Sequence, residues 1–398
     1  MKILLVNKFY YPRGGDCIVA MNTRHLLESE GHEVRVFAMS YPENINTEFN
    51  DSFAPEVNFS GGFGAKLAAM KRIFGKGDIV KSFKKVLSEF RPEVVHLHNI
   101  HSYLSPVVGE LAHKFGAKVV WTLHDYKLIC PSYSCRLPNG KNCEECISGN
   151  LAVIKNKCMK GSALQSFIAD VEARYWNKDR LAYFTDVFIA PSFFMSMKMR
   201  QGGFPKEKIA VICNFIDPLK YDKIKSVAVQ AEREKSFCYI GRLSVEKGVE
   251  TLIEAAVRAN VRLNLAGDGP LREDLVKKYK KNKNIKFLGH LSANNTANLL
   301  MRSQASILPS EWYENNPLGV IESLCAGTPV IGANIGGIPE LIDKECGVVF
   351  ESGNIEELSN VLTNFDSQLY DNQIISEKSL NRFSAETHYK KLIEIYTS

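Results

Sequence analysis

Two carboxylates, an arginine, a lysine and a histidine–aspartate pair are the residues here whose types and spacing suit chemistry on a charged substrate. Glu314 and Glu322, with seven residues between them, bracket the stretch Asn315-Asn316-Pro317-Leu318-Gly319. An apolar strand (Ala305 to Leu308) runs into this turn, and a helix is expected to open with Asn316 as N-cap and Pro317 at the first helical position. Leu318, Ile321, Leu324 and Cys325 share one helical face, and Gly327 closes the helix. Backbone N–H groups of Leu318 and Gly319 then have no intrahelical acceptor, a geometry that favours an anion such as phosphate. Helical side chains lean toward the N-terminus, so Glu322 tilts back over Gly319. A carboxylate there repels phosphate unless it binds neutral hydroxyls, and sugar hydroxyls beside a diphosphate meet that description. The plainer alternative makes Glu322 a solvated helix residue and Glu314 a first-turn charge.

A second basic loop, Gly241-Arg242-Leu243-Ser244-Val245-Glu246-Lys247-Gly248, follows another strand. Arg242 offers a planar fork of donors and Lys247 a point charge, and both suit a diphosphate. The alternative is a surface turn with two solvated cations. Gly267-Asp268-Gly269-Pro270 is a further loop at a strand end. Near the start, Arg13-Gly14-Gly15-Asp16 opens a helix, and Gly14 and Gly15 let a ligand approach the backbone. This is not the Gly-x-Gly-x-x-Gly fingerprint, which argues against NAD. His96, His98 and His101 cluster after one strand, and His124-Asp125 after the next. A histidine at a strand end is often a hydrogen-bonded core residue, but His124 beside Asp125 at the ligand edge points to function. No acidic pair has divalent-metal spacing, so neither a catalytic metal nor a cofactor is expected.

Residues 130–158 hold Cys130, Cys135, Cys143, Cys146 and Cys158 among prolines and glycines. Cys143-Glu-Glu-Cys146 has the spacing of a zinc pair, but the other three complete no familiar second pair. Buried thiols in a mobile flap over a cleft are the preferred reading, with structural zinc on these five cysteines as the alternative.

Stepping out to the elements, apolar strand candidates are Ile3 to Asn7, Val34 to Ala38, Val94 to Leu97, Val119 to Thr122, Val187 to Ala190 and Ile209 to Cys213. A second set follows at Phe237 to Ile240, Leu263 to Ala266, Ile285 to Leu288, Ala305 to Leu308, Thr328 to Ile331 and Val348 to Phe350. Strands alternating with helical stretches predict an α/β chain with parallel sheets covered on both faces, and ligands beyond the carboxyl ends of the strands. A polar stretch after Asn214-Phe215-Ile216-Asp217-Pro218 reads as a linker. The 398 residues suffice for two or three cores. A net charge of +6 is too mild to announce nucleic acid. No apolar run approaches the roughly 20 residues that span a bilayer, and the opening Met1 to Asn7 lacks a signal-peptide pattern, so a cytoplasmic location is expected. Ten cysteines in that compartment argue for thiols or metal over disulfides. The segment Phe63 to Arg91 carries Lys66, Lys71, Arg72, Lys76, Lys81, Lys84, Lys85 and Arg91 against only Asp78 and Glu89. Such a basic amphipathic segment can lie on the anionic inner face of the cell membrane, the alternative being solvated helices packed on the sheet.

The Glu-seven-residues-Glu pattern, Ala326-Gly327-Thr328-Pro329-Val330, Gly336-Gly337-Ile338-Pro339-Glu340, the Gly-Arg-Leu-x-x-x-Lys-Gly run and Thr122-Leu123-His124-Asp125 together resemble the retaining glycosyltransferases of family 4. The resemblance covers essentially the whole second half and scattered segments of the first. It implies the GT-B fold, with two doubly wound Rossmann-like domains facing across a cleft. Residues 1–213 would be the acceptor-side domain carrying the insertion 130–158, 214–235 the linker, 236–376 the donor domain, and 377–398 a helix crossing back to the first domain. It implies transfer of a hexose-type sugar from UDP or GDP to a glycan or lipid-linked acceptor in polysaccharide or glycoconjugate synthesis, without a metal. Arg242 and Lys247 would hold the donor diphosphate, Glu322 the ribose, Glu314 the hydroxyls of the transferred sugar, and His124 would lie at that sugar. His124, Arg242, Lys247 and Glu314 would be the catalytic set. Gly14, Gly15, Asn316, Leu318, Gly319 and Glu322 would complete the donor site, with His98 and Asp125 on the acceptor side. Asn315, Asn316 and Pro317 stand where the family often has Phe-Gly or Phe-Pro, which bears on the donor sugar. Two other classes compete: a non-catalytic nucleotide-sugar-binding protein on the same fold, and a zinc-containing nucleic-acid binder using the cysteine-rich loop. The joint presence of the five charged and imidazole groups speaks against the first, and the incomplete cysteine spacing against the second.

Overall fold

Runs rich in Val, Ile and Leu become parallel strands because only a sheet covered on both faces buries such runs completely. The computed structural model describes residues 1–47, 50–58, 61–149, 152–227 and 233–398. They divide into two compact units, 1–213 with 389–398, and 214–388.

The first unit holds one six-stranded parallel sheet: β1 (Lys2–Val6), β2 (Glu33–Phe37), β3 (Val94–Leu97), β4 (Lys118–Thr122), β5 (Val187–Ala190) and β6 (Ile209–Val211), in the order β2-β1-β3-β4-β5-β6. Leu4 pairs with Arg35 on one side and Val95 on the other, and Val95 with Val119. Ile3, Leu5, Val36, Val94 and Val120 build its core together with Leu392 and Tyr396 of the final helix (Ala385–Thr397). The second unit repeats the plan with β7 (Glu234–Ile240), β8 (Leu263–Ala266), β9 (Ile285–Gly289), β10 (Ser303–Leu308), β11 (Val330–Ala333) and β12 (Gly347–Phe350), in the order β12-β11-β10-β7-β8-β9. Tyr239 pairs with Leu265, Ala305 with Phe237, and Ile307 with Ile331. All twelve strands stand where the apolar runs predict them, within a few residues, and the two parallel α/β sheets match the expected fold class.

Each sheet has a point where strand order reverses: between β1 and β3, and between β7 and β10. Loops leaving the two strands there run to opposite sides, which opens a crevice at their carboxyl ends.

Three local expectations change. The stretch expected as linker, 214–235, carries a helix at Pro218–Val227, and its residues 228–232 lie outside the described residues. Asp217 starts that helix by accepting the Leu219 N–H at 2.8 Å, with Pro218 at a position that needs no N–H donor. The basic segment is two helices, Phe63–Ile73 and Asp78–Phe90. In the second, Ile79, Phe83, Val86, Leu87 and Phe90 are all buried. Arg72 leaves the basic face: it is buried and donates to the carbonyls of Tyr103 (2.9 Å) and Pro55 (3.2 Å). The closing stretch from 377 belongs to two helices, Asn372–Arg382 and Ala385–Thr397. No helix among the described residues is long and apolar enough to cross a membrane.

Candidate functional site

In the second unit the sequence-singled groups gather at the carboxyl ends of the two strands that flank the reversal. Loop 241–248 leaves β7 and loop 309–317 leaves β10. Backbone contacts hold the two together. Glu311 N–H donates to the Glu246 carbonyl at 3.0 Å, and Gly248 adopts φ +64° where a Cβ would sit 1.9 Å from the Pro309 carbonyl oxygen. No side chain fits there, which is the physical reason the Lys-Gly step follows the basic loop. From the other side, Gly336 (φ +60°) lies against the backbone of Glu314, where a Cβ would meet its carbonyl oxygen at 2.3 Å, and Gly337 N–H donates to that same carbonyl at 2.7 Å.

So held, Glu314 is buried, and its Oε1 accepts from Lys247 Nζ at 2.6 Å and from Ser310 Oγ at 2.7 Å. Burial alone would raise its carboxyl, but the Lys247 charge and the bonds from Lys247 and Ser310 outweigh it and hold the group below the usual carboxylate range. Lys247 also lies over the Trp312 ring at 5.2 Å. Lys247 is therefore paired with Glu314 in this state, and it could turn to a diphosphate without leaving the carboxylate's neighbourhood. Arg242 differs. It is exposed and makes no side-chain hydrogen bond or ion pair among the described residues, while its carbonyl accepts from the Tyr239 hydroxyl at 2.7 Å. Its guanidinium is available to a ligand.

The helix after this loop spans Leu318–Cys325 with Pro317, not Asn316, at the N-cap position and no capping side chain. Asn316 is drawn away by Asn214, whose backbone N–H donates to Asn316 Oδ1 and whose Nδ2 donates to the Asn316 carbonyl, both at 2.8 Å. The amides of Leu318 and Gly319 are left in the first helical turn with no bonded acceptor among the described residues, and Gly319 is exposed. Glu322, one turn on, does not stand as a bare acceptor: Lys220 Nζ pairs with its Oε1 at 2.5 Å. Sequence reading missed Lys220 and Asn214, although Asp217-Pro218 is a helix-start signal that would have placed Lys220 on a helix.

In the first unit, Gly14 precedes the helix Gly15–Ser29 after β1, and the space at the Gly15 α-carbon is open. His98 follows β3, and His124 follows β4. Nδ1 of His98 and Nε2 of His124 share a hydrogen bond of 2.9 Å, and the rings stack at 5.2 Å. Behind them, His96 stacks on His98 at 4.3 Å and bonds Thr122 Oγ1 (2.7 Å) and the Tyr396 hydroxyl (2.6 Å). Burial pushes His124 down to about 4 against the opposing charge of Asp16, so the imidazole is neutral at neutral pH. Asp16, which the sequence places at the helix start without a role for its side chain, accepts from Asn99 Nδ2 at 2.9 Å. Burial would raise its carboxyl, but the charge His124 carries once protonated, the Lys8 charge and the Asn99 bond hold it below the usual range. Asp125 turns back on its own loop, with Oδ1 accepting the Lys127 N–H at 2.9 Å, and burial raises its carboxyl. That bond shapes the turn after His124 rather than presenting a free carboxylate to a ligand. His101 stacks on Trp121 at 5.3 Å and is held neutral by burial.

Of the five cysteines in 130–158, Cys130, Cys143, Cys146 and Cys158 line one cavity, and Cys135 is buried beside them. None of the ten cysteines forms a disulfide.

Comparison with known proteins gives the family and the fold. Residues 14–219 match the family model described as Glycosyltransferase Family 4, and residues 220–382 the one described as Glycosyl transferases group 1. An uncharacterised 42.6 kDa protein in the cps region of Klebsiella pneumoniae is 26% identical over 86% of this chain and 87% of its own length. An uncharacterised glycosyltransferase of Methanocaldococcus jannaschii is 34% identical over 35% of this chain and 40% of its own. Among solved structures, Anabaena HepE in complex with UDP and glucose superposes with a TM-score of 0.64 at 18% identity, covering 100% of both chains.

Proposed function

Because the chain belongs to the family 4 glycosyltransferases, with a group 1 region in its second half, we propose that it moves a sugar from a nucleotide-diphosphate donor to a glycan or lipid-linked acceptor with retention of configuration. One observation carries this reading: Arg242, Lys247, Glu314, the unbonded amides of Leu318 and Gly319, and Glu322 gather at the strand ends that flank the sheet reversal in the second unit.

Negative charge grows on the β-phosphate as the glycosidic bond breaks. Arg242, Lys247 and the helix N-terminus are cationic or donor groups already in place to stabilise it, so no divalent metal is required on the diphosphate. Glu322 holds the ribose hydroxyls after exchanging its contact with Lys220. Glu314 accepts from hydroxyls of the transferred sugar. Neutral His124 of the first unit is a hydrogen-bonding partner for that sugar, and His98 orients its ring. Gly14 and Gly15 leave room for the donor at the helix start, and Asp125 shapes the acceptor-side turn.

UDP is the first candidate for the nucleotide, since HepE, which shares the fold, was solved with UDP and glucose; GDP is the second. Its Klebsiella relative in a cps region supports a polysaccharide acceptor. Contact with the cytoplasmic membrane face rests on the helix Phe63–Ile73 alone, where Lys66, Leu67 and Lys71 are exposed, because the next helix buries its apolar face. Flotation with anionic liposomes that falls with salt would support that contact, and equal recovery with neutral liposomes would reject it.

The decisive experiment is a thermal-shift screen against UDP, GDP, ADP and their sugars. A ligand at about 100 times its Kd should add roughly 2.7 kcal/mol. Absence of stabilisation by every one of them would sink the proposal. Stabilisation without any sugar transfer to a panel of acceptors would favour a non-catalytic binding protein instead.

A further inference from the structure

Twenty-nine residues, 130–158, leave the first unit as an excursion with very little regular structure. The described part holds one bridge between Arg136 and Asn142 and one short helix, Ala152–Lys155. Few apolar side chains are buried within it, so the hydrophobic effect alone gives such a loop little reason to keep one conformation. Yet its backbone is closely specified. Tyr133, Cys135 and Lys157 all adopt positive φ without being glycine, a conformation that costs energy unless the surroundings enforce it.

The cysteines lie where that enforcement is needed. Cys143 N–H donates to the Cys135 carbonyl at 2.8 Å, which lays the Cys143-Glu-Glu-Cys146 turn against the loop that starts at Cys130. Cys158 N–H donates to the Val153 carbonyl at 3.1 Å, which folds the far end of the excursion back. Four thiols from three separate parts of the excursion thus line one cavity, Cys130, Cys143, Cys146 and Cys158, and no disulfide joins any two of them. Cys135, though buried and adjacent, is not among the lining residues.

Four sulfurs around one small cavity, two of them a Cys-x-x-Cys pair, are the donor set of a structural zinc site. We propose that Cys130, Cys143, Cys146 and Cys158 bind one zinc ion that ties the two ends of this excursion to its Cys143-Glu-Glu-Cys146 turn. Each thiol gives its proton to solvent and each sulfur forms a bond to zinc, with no change of oxidation state. Among the described residues no three metal-ligating groups already converge at coordinating distance of one point. Binding therefore draws the ligands inward. Cys143, Cys146 and Cys158 are half-buried, whereas Cys130 is buried and bonded to Ser132 Oγ at 3.2 Å. The fold thus supplies the second pair that linear spacing did not reveal: Cys130 and Cys158, from opposite ends of the excursion.

The test uses the full chain purified from unsupplemented medium, with metal content by elemental analysis and zinc chloride as the added probe. About one zinc per chain is expected. Cys143→Ser and Cys158→Ser should reduce it to background, while Cys135→Ser and the distant Cys346→Ser keep it. Should a ligand variant fail to fold, cobalt substitution of the wild-type chain gives an independent reading. Intense thiolate-to-cobalt charge transfer with tetrahedral d–d bands supports the site, and a spectrum of free or octahedral cobalt overturns it. Wild-type chain that carries no zinc and takes none up under reducing conditions also overturns it, as does undiminished zinc in Cys143→Ser and Cys158→Ser. Loss of zinc in Cys135→Ser with retention in Cys130→Ser would refute this choice of ligands.

Discussion

Replacing Lys247 by Ala tests the central contact of the second unit, because it separates charge pairing from packing. In the wild type, the Glu314 and Lys247 side chains are 9% and 23% exposed, and they meet at 2.6 Å. Removing the lysine leaves a buried carboxylate with Ser310 as its remaining side-chain donor among the bonds described above. Breaking a buried pair from one side costs about 3–5 kcal/mol, and the partial exposure of Lys247 places the loss near 3. At about 2–4 °C per kcal/mol for a unit of this size, the melting temperature should drop by roughly 6–12 °C at pH 7. Trp312, the one tryptophan of the second unit, lies under Lys247 and gives a local fluorescence signal for the melt. The pH dependence fixes the cause. In the wild type the folded-state pKa of Glu314 is depressed, so its contribution is present above the unfolded pKa and is lost as pH falls through the folded value. In the variant the Lys247 charge and bond are gone and burial is opposed only by the bonds from Ser310 and Trp312, so the carboxyl pKa lies above its wild-type value and the carboxylate weakens the fold relative to wild type until it is protonated. The gap between variant and wild type should therefore narrow below about pH 4.5. Lys247→Met combined with Glu314→Gln removes both charges and should recover part of the loss. If Lys247→Ala melts within about 0.5 kcal/mol of wild type, or its deficit persists at pH 4, the buried-pair argument is wrong.

The other expectations divide the site by role. Arg242→Ala should lower kcat by about 10²–10³ with an unchanged melting temperature, since the guanidinium is exposed and has no side-chain partner among the described residues; a large thermal shift would contradict this. Glu322→Ala should act mainly by raising donor KM, the signature of binding that does not change during reaction, and Glu322→Gln should be milder; an unchanged KM would remove Glu322 from the ribose role. His124→Gln should lower kcat while UDP binding measured by calorimetry survives, because every group proposed for the diphosphate lies in the other unit. The same histidine predicts acid sensitivity. With a folded value of about 4 against about 6.5 unfolded, its contribution is complete above pH 6.5 and is lost as pH falls toward 4, by at most about 3 kcal/mol. The wild-type minus His124→Gln stability difference should follow that window, and a flat difference would refute the buried neutral imidazole.

What could be read from the chain, and what could not, follows from the range of the interaction concerned. Strands of a parallel sheet covered on both faces are continuous apolar runs, so β3, β5 and β8 stand where Val94 to Leu97, Val187 to Ala190 and Leu263 to Ala266 put them. Glycines forced by close backbone approach, such as Gly248 and Gly336, were visible because they punctuate short motifs. Side-chain partners were not visible. Asn316 has the right chemistry to cap a helix, and local rules assign it that role, yet Asn214, 102 residues away, takes up both its side-chain oxygen and its carbonyl. Lys220 lies equally far from Glu322 and was hidden in a stretch whose polar composition reads as linker. A tertiary bond of this kind leaves no periodicity, because the helix that presents Lys220 is short and its partner belongs to another helix.

The two site carboxylates of the second unit carry partners that the sequence does not suggest. Glu314 and Glu322 are both paired with lysines, and a buried or half-buried carboxylate without a cation would be costly. Each carboxylate therefore carries a lysine that a ligand binding there would share or displace. The two pairs differ in what should follow. Lys247 meets Glu314 at 2.6 Å, and in the proposed site it would contact the diphosphate from that position. Lys220, on the helix Pro218–Val227, has Glu322 as its partner, and a ribose bound to Glu322 must either share that carboxylate or displace the lysine. Lys220→Ala should then change donor KM with little effect on kcat: lower if the lysine competes with ribose, higher if it orients the carboxylate. A fall in kcat at unchanged KM would show that Lys220 acts on the transition state, and would overturn the assignment of Glu322 to the ribose.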